Sequence, residues 1–229
     1  MNDDSKIMNE ENLQFAMISI ISKKLRVLVV GSGKAGLLKA KYFLDKGCKV
    51  EILTKEIKLE EECMFLKKYG NNSNISVKEY KKDFILDKHI IIIAVNDISA
   101  RDEIRRDCEE LSKIYIDSTD FREGMAVVPV QKESNNAVIA LNTKGGNPKG
   151  AVFLGEIIKD NISRYDEFIN FTTLIRNKLK DKPNIKKEVL NFMFTKDFLF
   201  FFEKGLGMEV LKIFYEEVQI GYSNSNKKE

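Results

Sequence analysis

Gly31, Gly33 and Gly36 form a G-x-G-x-x-G pattern between a β-branched run, Val27 to Val30, and an apolar periodic segment, Leu37 to Leu44. Strand, glycine turn and helix in this order read as the opening of a dinucleotide-binding βαβ unit. Gly31 would make the tight turn, Gly33 would let the backbone approach a pyrophosphate, and Gly36 would let the helix pack close to the strand. With Ser32 between them, these glycines would aim the unpaired N–H groups of the helix start at the anion. A glycine turn that binds nothing is the plain alternative, and the placement between strand and helix argues against it.

Two further stretches carry candidate chemistry. Asp117-Ser118-Thr119-Asp120 follows a short strand, Ile114 to Ile116. A carboxylate at such an edge can serve as a general base, but Asp and Ser also make turns by bonding their own backbone, so spacing alone leaves both roles open. Past the second strand, where Asp or Glu normally takes the ribose hydroxyl of NAD, stands Thr54-Lys55-Glu56. Thr54 could bond a ribose hydroxyl and Lys55 could meet a 2′-phosphate, so NAD and NADP both stay open. Ala94-Val95-Asn96-Asp97 closes an isoleucine-rich run on the side where open α/β sheets bind ligands. Small residues there, with Val95 and Asn96 at the site, would let a nicotinamide end pass; Asp97 reads as a helix cap. His89 is the only histidine and is expected to be structural. Without a second one, neither a histidine metal site nor a Ser-His-Asp triad is supported, and no metal is expected.

The elements that would position these residues alternate. Strands are expected over Phe15–Ile21, Val27–Val30, Lys49–Leu53, Ile75–Val77, His89–Val95 and Ile114–Ile116, with helices over Leu37–Leu44, Glu60–Tyr69 and Ser99–Leu111. That alternation with short connections predicts a Rossmann-type, doubly wound parallel sheet. Two strands without a helix between them follow, Met125–Val130 and Ala137–Leu141, and then helices over 151–160, 164–179, 185–194 and 209–221, with Phe198–Phe202 among them. Three zones result: a nucleotide-binding domain over 13–113, a small β segment over 114–150 and an α-helical domain over 151–222.

Composition narrows the class. In 229 residues, 38 basic and 35 acidic side chains leave a formal charge of +3, too small and too evenly mixed to argue for nucleic acid. No apolar run is long enough for a membrane span, and the polar start lacks the pattern of a signal peptide. Cys48, Cys63 and Cys108, an odd number without C-x-x-C spacing, favour free thiols and a cytoplasmic setting.

Taken in order, the leading strand FAMISIISKKLRVLVVGSGKAGLLKAKYFLDKGCKVEILTKE, HIIIIAVND, YIDSTD with the downstream VVP, and VIALNTKGGNPKGA before a helical domain resemble the siroheme synthase N-terminal family, the precorrin-2 dehydrogenases with or without ferrochelatase activity. The resemblance spans nearly the whole chain. It implies NAD on the Rossmann domain and oxidation of precorrin-2 to sirohydrochlorin, with Fe²⁺ insertion in some members. It also implies a homodimer built through the middle β segment, with the helical domain closing over a tetrapyrrole cleft. Its cofactor contacts fall on Lys34 and Ala35 after the glycines and on Lys55 and Glu56 after the second strand. Its catalytic aspartate maps best onto Asp120, with one residue fewer before Pro129 than the usual pattern, so Asp117 competes. Its serine-rich substrate segment becomes Thr143-Lys144-Gly145-Gly146, followed by Asn147, where Lys144 could face substrate carboxylates. A nucleotide-sensing module that binds NAD(H) without chemistry is the reading from a different class.

Overall fold

Val27, Leu28, Val29 and Val30 are apolar on both sides of the chain, and all four are buried at the centre of a parallel sheet. The structure, a computed structural model, describes residues 14–57, 64–215 and 218. The chain divides into two compact units, Gln14–Val128 and the residues from Pro129 onward.

In the first unit, β1 (Arg26–Val30), β2 (Lys49–Thr54), β3 (Ser73–Val77), β4 (Ile90–Ile93) and β5 (Ile114–Asp117) form one sheet in the order β3-β2-β1-β4-β5. Every neighbouring pair is parallel. The order reverses between β1 and β4, so the crevice where such sheets bind ligands opens at their carboxyl ends. Helix α1 (Lys34–Asp45) covers one face, burying Leu37, Ala40, Phe43 and Leu44 against Val27, Val29, Ile52, Ile90 and Ile92. Helix α2 (Ile98–Glu110) covers the other, with Ile104 and Cys108 against Leu28, Val30, Ile91, Ile93 and Tyr115. Each fully buried isoleucine of β4 contributes roughly 1.5–3 kcal/mol of hydrophobic stabilisation, which is why four consecutive isoleucines form a central strand.

The structure departs from the sequence expectations in several places. Residues 15–21 are not a strand: they run as extended chain into a 3₁₀ turn (Ser22–Lys24), with Met17, Ile18, Ile20 and Ile21 exposed. Both edges of β1 are already taken by β2 and β4, so an apolar run beside it has no backbone partner. Of the helix expected over 60–69, residues 60–63 lie outside the described residues. Its remainder lies in 3₁₀ turns (Met64–Asn72), interrupted at Gly70 with φ 53°. The strand expected from Met125 begins only at Val130, because Ala126 N–H donates to Tyr115 O and Pro129 has no N–H to give.

The second unit opens with β6 (Val130–Glu133) and β7 (Val138–Leu141), an antiparallel ribbon. Asp166 holds its turn, accepting from Ser134 Oγ at 2.7 Å and from the N–H groups of Asn135 and Asn136 at 3.0 Å each. These hydrogen bonds draw the Asp166 carboxyl below its ordinary range, Ser134 most strongly. Among the described residues five helices follow: α3 (Pro148–Ser163), α4 (Asp166–Lys178), α5 (Pro183–Met193), α6 (Lys196–Glu203) and α7 (Gly207–Phe214). The phenylalanine run forms α6, and Phe198 is fully buried among Phe168, Phe171 and Phe192, whereas Phe194, Phe200 and Phe201 are exposed. The helix expected over 209–221 ends at Phe214, where Tyr215 turns extended (φ −140°, ψ 90°), and residues 216, 217 and 219–221 lie outside the described residues.

Candidate functional site

The glycine turn leaves β1 at the reversal of strand order. Gly31 has φ +112°, a conformation that suits glycine, and its N–H donates to Leu53 O at 2.8 Å. A side chain there would lie 2.4 Å from the carbonyl oxygen of Ala94, and one at Gly36 would lie 2.1 Å from that of Gly31. Both positions are therefore closed to any larger residue. Gly33 is different, since a Cβ there would meet nothing within 4 Å. It is the N-cap of α1 and supplies no side chain to the first-turn N–H groups. No acidic residue stands in that turn, and Lys34 adds a cation. The open space in front of an uncapped, positively polarised helix start fits a pyrophosphate.

Ser32 and Thr54 are buried and stitch the turn to the end of β2. Thr54 Oγ1 donates to the carbonyl of Glu56 at 2.7 Å and lies 3.0 Å from Ser32 Oγ, which comes within 3.1 Å of the same carbonyl. The Thr54 proton is thus committed inward, and only its lone pairs remain for a ligand. Lys55 points along the sheet edge to Glu79 at 3.4 Å, both side chains well exposed. Val95 packs against the α2-side core, Asn96 is exposed, and Asp97 caps α2 by accepting from Ala100 N–H at 2.7 Å. His89 Nδ1 accepts from Arg26 N–H at 3.0 Å, a link between neighbouring strand starts that is structural.

The two aspartates at the end of β5 and in the loop after it separate cleanly. Asp117 is buried; its Oδ1 accepts from Thr119 N–H at 2.8 Å and from Asp120 N–H at 3.0 Å, and Arg105 Nε lies 3.3 Å from its Oδ2. Asp120 is exposed and opens the 3₁₀ turn Phe121–Glu123, its Oδ1 accepting from Arg122 N–H at 3.1 Å. Asp117 is enclosed by the protein, and Asp120 is the carboxylate that solvent and small molecules reach. Arg105 and Glu123, joined at 2.9 Å, belong to this site as well. Sequence reasoning passed over Arg105 because RDEIRRDCEE reads as an ordinary solvated helix face, and over Glu123 because a single acid in FREG carries no spacing signal. A polar hollow of about 690 Å³ lies beside them, lined by charges of both signs and by no residue of the glycine turn.

The remaining expected site residues lie in the second unit. Gly146 has φ +68° and donates its N–H to Thr143 O at 3.1 Å, closing a turn that exposes Lys144 and Gly145. Asn147 caps α3, accepting from Gly150 N–H at 2.9 Å, and its own N–H donates to Thr143 Oγ1. The thiols of Cys48 and Cys108 are buried and unbridged, and burial, aided by Asp107, pushes Cys108 up to about 12. Among the described residues no cluster of His, Cys, Asp or Glu suits a metal ion, and no helix is long and apolar enough to cross a membrane.

A doubly wound sheet with an open glycine turn at its reversal point defines a dinucleotide-binding class of protein. Residues 18–130 match the model of a family described as "Putative NAD(P)-binding", and the first unit is accordingly an NAD(P)-binding domain. The fold is similar to that of SirC, precorrin-2 dehydrogenase, with a TM-score of 0.62, 18% identity, and coverage of 90% of this chain and 99% of that one. Two imine reductase structures from Myxococcus stipitatus align with a TM-score of only 0.31 each. They are a V8 variant in complex with NAD+ (22% identity, 41% of this chain and 31% of that one) and a complex with NADP+ (13%, 88% and 80%). That score is too low to bear on this fold. No curated protein matches the sequence.

Proposed function

We propose that this chain is an NAD-dependent precorrin-2 dehydrogenase, oxidising precorrin-2 to sirohydrochlorin in siroheme or cobalamin synthesis. The observation that carries the reading is an exposed carboxylate, Asp120, after β5, on the same sheet edge as the open cradle at Gly33. The resemblance of the sequence to the siroheme synthase N-terminal family and the likeness of the fold to SirC support it.

In this reading Gly31, Ser32, Gly33, Lys34, Ala35 and Gly36 hold the pyrophosphate through backbone N–H groups and the helix start. Thr54, Lys55 and Glu56 flank the ribose, and Val95 and Asn96 leave room for the nicotinamide end. Bound NAD⁺ supplies a hydride acceptor. Asp120 accepts the proton that leaves the reduced macrocycle as its conjugation extends, so two electrons and two hydrogens depart in all. Asp117 shapes the turn that presents Asp120. Lys144, with Gly145, Gly146 and Asn147, is assigned to the substrate's acetate and propionate groups. The working form is a homodimer in the cytoplasm, where the unbridged Cys48 and Cys108 are stable.

The test is an anaerobic spectroscopic assay of precorrin-2 oxidation with NAD⁺ and with NADP⁺, on wild type, Asp117→Asn and Asp120→Asn. Turnover with NAD⁺ that is lost in Asp120→Asn supports the reading. Tight NADH binding without turnover would instead point to a nucleotide-sensing module. A parallel reaction with sirohydrochlorin and Fe²⁺, without NAD⁺, reports whether the same scaffold also inserts iron.

A further inference from the structure

Arg105 bridges the two ends of the loop that carries Asp120. Its Nε lies 3.3 Å from Asp117 Oδ2, where the loop leaves β5, and its Nη1 donates to Glu123 Oε2 at 2.9 Å, where the loop returns. Asp102, one turn earlier on α2, braces the guanidinium from behind at 3.5 Å. Between these anchors the loop is tightly closed. Asp117 Oδ1 takes the N–H groups of Thr119 and Asp120, and Asp120 O accepts from Glu123 N–H at 3.1 Å. A side chain at Gly124 would lie 2.9 Å from Asp117 N, so the returning chain presses against the strand end.

We propose that Arg105 is a positioning residue that acts through Asp117 and Glu123 to hold the Asp120 carboxylate in one place at the sheet edge. The proposal rests on the reading of Asp120 as the proton acceptor. Charge neutralisation alone does not account for the arrangement. The Asp117 side chain is fully buried and needs a counter-ion, but that of Glu123 is 55% exposed and does not. A pair exposed on one side adds only about 0–1 kcal/mol of stability. The consequence of the second arm is therefore geometric: it ties the far end of the loop to the same rigid helix as the near end. A carboxylate displaced by about 1 Å can lose 10²-fold in rate, so a loop clamped at both ends has a kinetic role that a neutralised Asp117 lacks.

The experiment measures kcat and KM for precorrin-2 oxidation, NAD⁺ affinity, and amide hydrogen exchange at Thr119 and Asp120. It uses wild type, Arg105→Lys, Arg105→Gln, Asp120→Asn and the double variant. Arg105→Gln is expected to lower kcat by about 10- to 100-fold with KM and NAD⁺ affinity within about twofold, and Arg105→Lys to recover part of the loss. Exchange at Thr119 and Asp120 rises about tenfold as the loop loosens. On the Asp120→Asn background the same substitution changes the residual rate by less than about twofold, because it acts through the group already removed. An equal fractional loss in both backgrounds, or unchanged exchange at the two amides, overturns the proposal. Should Arg105→Gln not fold, Glu123→Gln carries the test: a kcat about threefold lower with faster exchange supports the clamp, and a kcat unchanged from wild type overturns it. If wild type shows no turnover, the functional reading fails and the catalytic part of the proposal falls with it. The exchange measurement still decides whether Arg105 holds the loop.

Discussion

The glycine turn after β1 and the acidic turn after β5 lie on the same edge of one sheet and are made by opposite means. The glycine turn is shaped by missing atoms: a Cβ at Gly31 or Gly36 would strike a carbonyl oxygen at 2.4 or 2.1 Å. Its functional feature, open N–H groups at the start of α1, is backbone. The acidic turn is shaped by side chains: Asp117 spends both carboxylate oxygens inside the protein, and Arg105 and Glu123 lock the loop from outside. Its proposed functional feature is a single side chain, Asp120, left exposed in the loop. A site made of backbone tolerates change wherever space is open and almost none where it is closed. A site made of side chains divides its residues into those that hold and those that act, and residue type alone does not separate the two.

That contrast can be broken in several ways. The largest effect is expected in the acidic turn. Asp120→Asn should lower kcat for precorrin-2 oxidation by roughly 10²–10⁴-fold with an unchanged thermal midpoint, whereas Asp117→Asn should cost about 3 kcal/mol of stability by leaving Arg105 facing an amide. Exchanged outcomes in these two variants would reverse the assignment of holder and actor. In the glycine turn, Gly36→Ala should destabilise the first unit by at least about 1–3 kcal/mol, since the obstructing atom is backbone and has little freedom to move. Gly33→Ala should unfold like wild type yet bind NAD⁺ roughly tenfold more weakly in a calorimetric titration, about 1.4 kcal/mol. A normal NAD⁺ affinity there would remove the open cradle from the site. Thr54→Val should cost about 1 kcal/mol by removing one of the two hydroxyl donors to the Glu56 carbonyl, leaving only Ser32 Oγ.

Asp166 is the control from the second unit, an aspartate bound inward like Asp117 and far in sequence from either turn. Its folded-state carboxyl is depressed by Ser134 Oγ and by the Asn135 and Asn136 N–H groups. Its stabilising effect is therefore complete above the ordinary carboxylate range and is lost as pH falls through the depressed value. Asp166→Asn should lower the thermal midpoint at neutral pH, the difference from wild type should shrink in acid, and NAD⁺ affinity should stay unchanged throughout.

Much of the first unit was legible because its signals are local. Val27–Val30 and the four isoleucines of β4 have no polar face, and a strand without one must be buried on both sides. The glycine pattern specifies its own backbone, so the turn could be read at Gly31, Gly33 and Gly36 from spacing alone. The same local logic failed at Phe15–Ile21, which has strand composition but lies next in sequence to β1, whose two edges are already paired, and at Met125–Pro129, where a missing N–H delays the ladder to Val130. The phenylalanines of α6 show the same limit: periodicity marks them as apolar, but only packing separates buried Phe198 from exposed Phe200 and Phe201.

The chain alone thus determined a dinucleotide turn and a parallel sheet, because backbone conformation and binary hydrophobic pattern are written over a few consecutive residues. Tertiary structure decided which of two aspartates three positions apart is enclosed. That choice depends on Arg105, a dozen residues away on another element, and on a loop that closes over Asp117 before it presents Asp120. Burial and charge pairing are properties of what surrounds a residue, and those surroundings exist only after the strands and helices have met.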